Sequence, residues 1–155
     1  MIVRRHTLDT AATQRAGEEL AGMLRGGDVV VLSGPLGAGK TTFVQGVARG
    51  LGVEDRVTSP TFTVVREHRC TTHPSIRTLH HVDLYRTNSR GEIIDLALGE
   101  LVEEAGVALI EWGELAGDLF GADVLSITIR TDDDESRHFE IEGQRVSDFS
   151  SWGDA

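Results

Sequence analysis

Residues 28–42 read Asp-Val-Val-Val-Leu-Ser-Gly-Pro-Leu-Gly-Ala-Gly-Lys-Thr-Thr, and this stretch decides the fold. Its first six residues form a short, continuous apolar run of the kind that fills a buried parallel strand. Residues 34–41 then fit the pattern G-x-x-x-x-G-K-[ST] without exception. Beyond it, Phe43, Val44, Val47, Ala48 and Leu51 recur at helical spacing, and Gly52 closes the run. Strand, glycine turn and helix in that order predict a phosphate-binding loop (P-loop).

Each fixed position of the loop has a chemical reason. Glycines let the backbone turn tightly and aim consecutive N–H groups at phosphate oxygens, with no Cβ in the way. The helix that starts near Lys40 adds roughly half a positive charge at its N-terminus. Lys40 can reach the β- and γ-phosphates, and the Thr41 hydroxyl can ligate magnesium. The loop's candidate nucleotide ligands are Gly34, Gly37, Ala38, Gly39, Lys40, Thr41 and Thr42. Lys40 is the only lysine in the chain, and every other basic residue is arginine. A compact ammonium on a thin stem fits where a planar guanidinium cannot. A chain whose only lysine is Lys40, preceded by Gly39, also cannot contain the Asn-Lys-x-Asp motif on which P-loop GTPases usually rest their guanine selectivity. ATP is therefore the expected nucleotide.

Upstream, Ala12, Ala16, Leu20 and Leu24 predict an amphipathic helix over 8–25, capped by Asp9 or Thr10 and ended by Gly26 and Gly27. Downstream, Pro60 forces extended geometry on Thr58-Ser59-Pro60-Thr61. Strands are predicted over 62–67 and 76–85, joined by a polar turn near Pro74, and a helix over 92–104. Residues 107–112 (VALIEW) read as a second buried strand. Residues 124–130 and 137–142 alternate apolar and polar around an acidic turn, which predicts an antiparallel hairpin at the sheet edge. The sum is an α/β, P-loop NTPase-like sandwich: a mainly parallel sheet with antiparallel additions at its edge, flanked by helices. One domain is expected over 1–142, with 143–155 a loosely held tail.

A P-loop needs carboxylates to hold magnesium or orient water. Asp83 and Glu111 both end apolar runs, where ligands collect in open α/β sheets. The residues alone leave open which acid takes which role. Residues 58–61 carry hydroxyls that could sense a γ-phosphate. Arg137 could reach phosphate or base, and Trp112, next to Glu111, could pack on the nucleotide or fill core. His80 and His81, with His68, Cys70 and His73 nearby, fit no standard zinc spacing, and a strand sends His80 and His81 to opposite faces.

The chain has 155 residues, 15 basic against 25 acidic, for a formal charge of −10. Such a surface repels nucleic acid over most of its area, so any role in an RNA pathway is expected to run through protein partners rather than direct tRNA contact. No apolar stretch is long enough to span a bilayer. With one cysteine, Cys70, and no apolar segment behind Arg4 and Arg5, the expected location is the cytoplasm.

The order GPLGAGKTTF, TSPTF, HHVDLYR and LIEW closely resembles the TsaE (YjeE) family, bacterial P-loop ATPases of tRNA threonylcarbamoyladenosine (t6A) synthesis. The resemblance covers about residues 8–142. It implies that residues 37–42 bind the ATP phosphates and that Thr41 and Glu111 hold Mg2+. It makes Asp83 the water-side acid, Ser59 and Thr61 the switch, and Thr10 and Arg137 nucleotide contacts. It also implies TsaD and TsaB as partners. Pro35 departs from the family's usual Asp after the first loop glycine. A small-molecule kinase is a rival reading, but Arg66, Arg69 and Arg90 make a poor phosphate lid. A nucleotide-dependent switch without useful turnover is a third.

Overall fold

The computed structural model describes residues 1–35, 39–55, 57, 65–83, 105–111, 124–132, 134–143 and 145–154. They form seven strands, two α-helices and a 3-10 helix in the order β1 (Val3–Thr7), α1 (Thr10–Ala21), β2 (Val29–Ser33), α2 (Lys40–Gly50), β3 (Val65–Arg69), β4 (Thr78–Asp83), β5 (Gly106–Glu111), β6 (Leu125–Thr131), β7 (Arg137–Gly143) and the 3-10 helix Val146–Trp152. The predicted helix over 92–104 lies outside the described residues.

All strands join one sheet, ordered β1-β7-β6-β2-β5-β4-β3. Its centre, β6-β2-β5-β4, is parallel, whereas β7 on one side and β3 on the other run antiparallel to their neighbours. The mainly parallel P-loop sandwich expected from sequence is therefore present. The runs that reveal it are central ones: every residue of β5 is buried, and so are Val30, Val31 and Leu32 of β2. A strand covered on both faces reads as an unbroken apolar run.

The edge differs from expectation. The β6–β7 hairpin lies inside the sheet, because β1 pairs antiparallel with β7 and takes the outer position. Helix α1 also stops earlier, at Ala21, with Gly22 as C-cap; Leu24 is buried beyond it. Asp9 is the N-cap, its Oδ1 accepting from the Ala12 N–H at 2.7 Å.

Helices α1 and α2 pack backbone against backbone. A Cβ on Gly17 would lie 2.5 Å from the Phe43 carbonyl oxygen, and one on Gly46 would strike the Gln14 carbonyl. Only glycine permits that approach. Leu20, Phe43, Val44 and Val47 fill the space between these helices and Leu32, Leu109 and Ile127 of the sheet.

Residues 145–154 are not a loose tail. Phe149 and Trp152 are buried, and Trp152 Nε1 donates to the Ala16 carbonyl at 2.8 Å. The Trp152 ring meets Phe43 and Phe139 edge-on. Arg145, at φ 62°, is held by Asp28 at 2.5 Å and Asp148 at 3.1 Å. Burial works against its charge, but the two carboxylates outweigh this and raise its pKa. Two buried aromatic rings stabilise more than a short polar sequence suggests. Among the described residues no helix is long and apolar enough to cross a membrane.

Candidate functional site

Strand β2 ends at Ser33 and α2 begins at Lys40, so the glycine loop sits at the carboxyl end of the central parallel strands. Gly39 is the N-cap of α2 with φ +90°, a left-handed conformation that disfavours other residues. Lys40 is 5% exposed, and its Nζ donates to the Gly34 carbonyl at 2.6 Å across the base of the loop. Its ammonium is thus folded back into the phosphate loop. Thr41 and Thr42, both half-buried, follow in the first turn.

The two acids come together. Asp83 and Glu111 are direct partners at the ends of the parallel strands β4 and β5. Glu111 is 2% exposed, and its Oε1 accepts from the Thr41 hydroxyl at 3.3 Å. That contact joins the end of β5 to the first turn of α2. A hydroxyl and two carboxylates are hard oxygen donors, the set that suits magnesium.

The structure adds a residue that was weighed in the sequence only for zinc. His81 is fully buried, and its Nε2–H donates to Glu111 Oε2 at 2.5 Å. One carboxylate oxygen therefore faces Thr41 while the other is fixed by His81. The signal was present: His81 and Asp83 stand two apart on β4 and so share a sheet face. His81 Nδ1 is buried without a hydrogen-bond partner among the described residues.

Arg137, at the start of β7, reaches the loop from the other side. A Cβ on Gly39 would lie 3.3 Å from Arg137 Nε, so this side chain lies against the loop's last glycine. Its Nη1 donates to the carbonyls of Ser136 at 2.8 Å and Asp134 at 3.0 Å, which brace the guanidinium. Thr10 is exposed at the first turn of α1, and among the described hydrogen bonds none ties it to the loop. Gly37, Ala38, Ser59, Thr61 and Trp112 lie outside the described residues.

Among the described residues His68, Cys70, His73, His80 and His81 do not gather into a set of metal ligands. His68 is buried with Nδ1 2.7 Å from Asp55 Oδ2, a contact that lowers the Asp55 pKa. Cys70 is buried, and burial pushes its thiol up to about 11, away from the thiolate that a metal needs.

This chain is similar to known proteins. The model of the family described as threonylcarbamoyl adenosine biosynthesis protein TsaE matches residues 7–139. The chain is 39% identical over 139 residues to the tRNA threonylcarbamoyladenosine biosynthesis protein TsaE of Treponema pallidum (strain Nichols), covering 90% of this chain and 97% of that one. It is 42% identical to the protein of that name from Streptomyces coelicolor over 135 residues, covering 82% and 87%. The crystal structure of YdiB from Bacillus subtilis superposes with a TM-score of 0.71 at 29% identity, covering 92% of this chain and 86% of that one. With the family model matching residues 7–139 and relatives of about 40% identity covering most of both chains, this chain belongs to the TsaE family of tRNA threonylcarbamoyladenosine biosynthesis.

Proposed function

We propose that this protein binds and hydrolyses ATP with Mg2+ and acts in t6A synthesis with TsaD and TsaB. The observation that carries the reading is the Thr41–Glu111 contact at 3.3 Å, which places a carboxylate opposite the P-loop hydroxyl. In this reading Thr41 and Glu111 hold the metal, which supplies charge neutralisation at the β- and γ-phosphates.

The other roles fall to this chain's own groups. Lys40 leaves the Gly34 carbonyl to meet phosphate, so the ammonium is pre-positioned and desolvated before nucleotide arrives. The N–H groups of the first turn of α2 would meet the same oxygens. Asp83 stands beside Glu111 at the end of β4, where it can accept a proton from water or orient it. His81 keeps Glu111 aimed at Thr41. Arg137 approaches Gly39 and offers a second cation to the phosphates.

The formal charge of −10 leaves little surface for a polyanion, which favours a protein partner as the route to tRNA. The test is calorimetric titration of ATP with and without Mg2+. Glu111→Ala should weaken binding in Mg2+ and leave metal-free binding nearly unchanged. Equal losses under both conditions would take Glu111 out of the metal shell.

A further inference from the structure

A second cluster lies on the sheet face turned away from α1 and α2. His6 of β1 stands directly opposite His138 of β7. Alternation along β7 sends Phe139 into the core and His138 to the other side. The two imidazoles lie parallel within 1°, with centroids 4.2 Å apart. Asp132, one residue past β6, completes the group. Its Oδ2 lies 2.8 Å from His138 Nε2 and 3.9 Å from His6 Nε2. One ligand atom from each of the three falls within 4.8 Å of the others.

We propose that His6, His138 and Asp132 form a surface site for one divalent ion of the zinc class (Zn2+, Ni2+ or Cu2+). Two imidazoles and a carboxylate suit these borderline ions, whereas magnesium favours oxygen alone. Two ligands on one tetrahedral zinc lie about 3.3 Å apart, given bonds of about 2.0–2.1 Å. The observed 2.8 and 3.9 Å bracket that spacing, and the two imidazoles, now parallel, would rotate out of their stack to bring both Nε2 atoms onto one ion.

Two further features separate this cluster from an ordinary polar surface. Asp132 is positioned by its neighbours: the hydroxyl of Ser136, itself 4% exposed, lies 2.8 Å from Asp132 Oδ2 and 2.5 Å from Asp134 Oδ1, sharing its one proton between them, while the Ser136 N–H donates to Asp134 Oδ1 at 2.8 Å. Outer hydrogen bonds of this kind orient metal ligands. The nearby arginines are engaged elsewhere. Arg130 pairs with Glu140 at 2.7 Å and Arg4 with the same oxygen at 3.6 Å, which offsets their repulsion of a cation. An ion here would clamp the edge strand β1 to β7 and keep coordination positions open for water or a further ligand.

The site is independent of the nucleotide reading and is tested without nucleotide. Untagged full-length protein, freed of metal by chelation, is titrated with Zn2+ in the presence of excess Mg2+. One Zn2+ per chain with micromolar affinity is expected, with the His6 and His138 ring resonances perturbed in NMR spectra. Loss of an outer partner alone weakens metal sites about 10–100-fold, so His6→Gln and His138→Gln should each cost at least that much. His6 is exposed and His138 half-buried, so both replacements should leave the fold intact, as circular dichroism would check. Lys40→Ala should leave Zn2+ uptake unchanged. Uptake that survives the double histidine substitution, or no uptake by the wild type at millimolar Zn2+, overturns the proposal.

Discussion

At the level of single residues, the site is a short chain of contacts: Lys40 on Gly34, Thr41 on Glu111, Glu111 on His81. Lys40, Thr41 and Glu111 were legible in the sequence from the loop pattern and the end of an apolar strand, but the residues alone left open whether Asp83 or Glu111 faces Thr41. The link to His81 was not legible. A histidine in a run of two reads as a metal ligand or a polar spacer until the register shows which acid it faces. His81 touches no phosphate in the proposed arrangement; it acts by holding Glu111. His81→Ala should therefore weaken Mg2+-dependent ATP binding by about 10–100-fold, as loss of an outer-shell partner does. Metal-free ATP binding should stay near the wild-type value, and calorimetry with and without Mg2+ separates the two. A loss of the same size in both conditions would mean that His81 serves the fold and not the carboxylate.

At the level of elements, legibility followed burial. Strands β2 and β5 were readable because they are central and covered on both faces, and α2 because its apolar spacing follows the loop directly. Strand β1 was not, since only Val3 and Thr7 of its five residues are buried and the rest are charged or polar. An edge strand of that kind has no sequence period to find. The end of α1 was missed because Leu24 continues the apolar spacing after the helix has stopped. The α1–α2 contact depends on Gly17 and Gly46, whose missing side chains let two backbones touch. Gly46→Ala should push α1 off α2 and destabilise the protein by about 1–3 kcal/mol, despite its better helix propensity. That corresponds to a fall in melting temperature of roughly 2–4 °C per kcal/mol for a chain of this size. A higher melting temperature would show that the helices part easily.

At the level of the whole molecule, the C-terminal segment is part of the core. Trp152 bridges α1, α2 and β7 through the Ala16 carbonyl and the rings of Phe43 and Phe139. Its sequence surroundings, serines, glycine and acids, gave no sign of this, because two aromatics in a short polar segment have no period. Trp152→Ala should cost about 3–5 kcal/mol, the range for emptying a buried aromatic site. Urea unfolding checks it, and a loss below about 1 kcal/mol would return the segment to a surface role. Since α2 carries the P-loop lysine at its start and Phe43 at its fourth position, this packing also supports the loop from beneath.

The account as a whole stands on ATP turnover. Phosphate release from ATP by the purified protein, alone and then with TsaD and TsaB, tests it most directly. Slow release that rises when both partners are added, and that falls at least about 100-fold in Lys40→Ala as for loss of a key charge-stabilising donor, is the expected result. Release by Lys40→Ala at the wild-type rate, or no release by the wild type with both partners present, would contradict it.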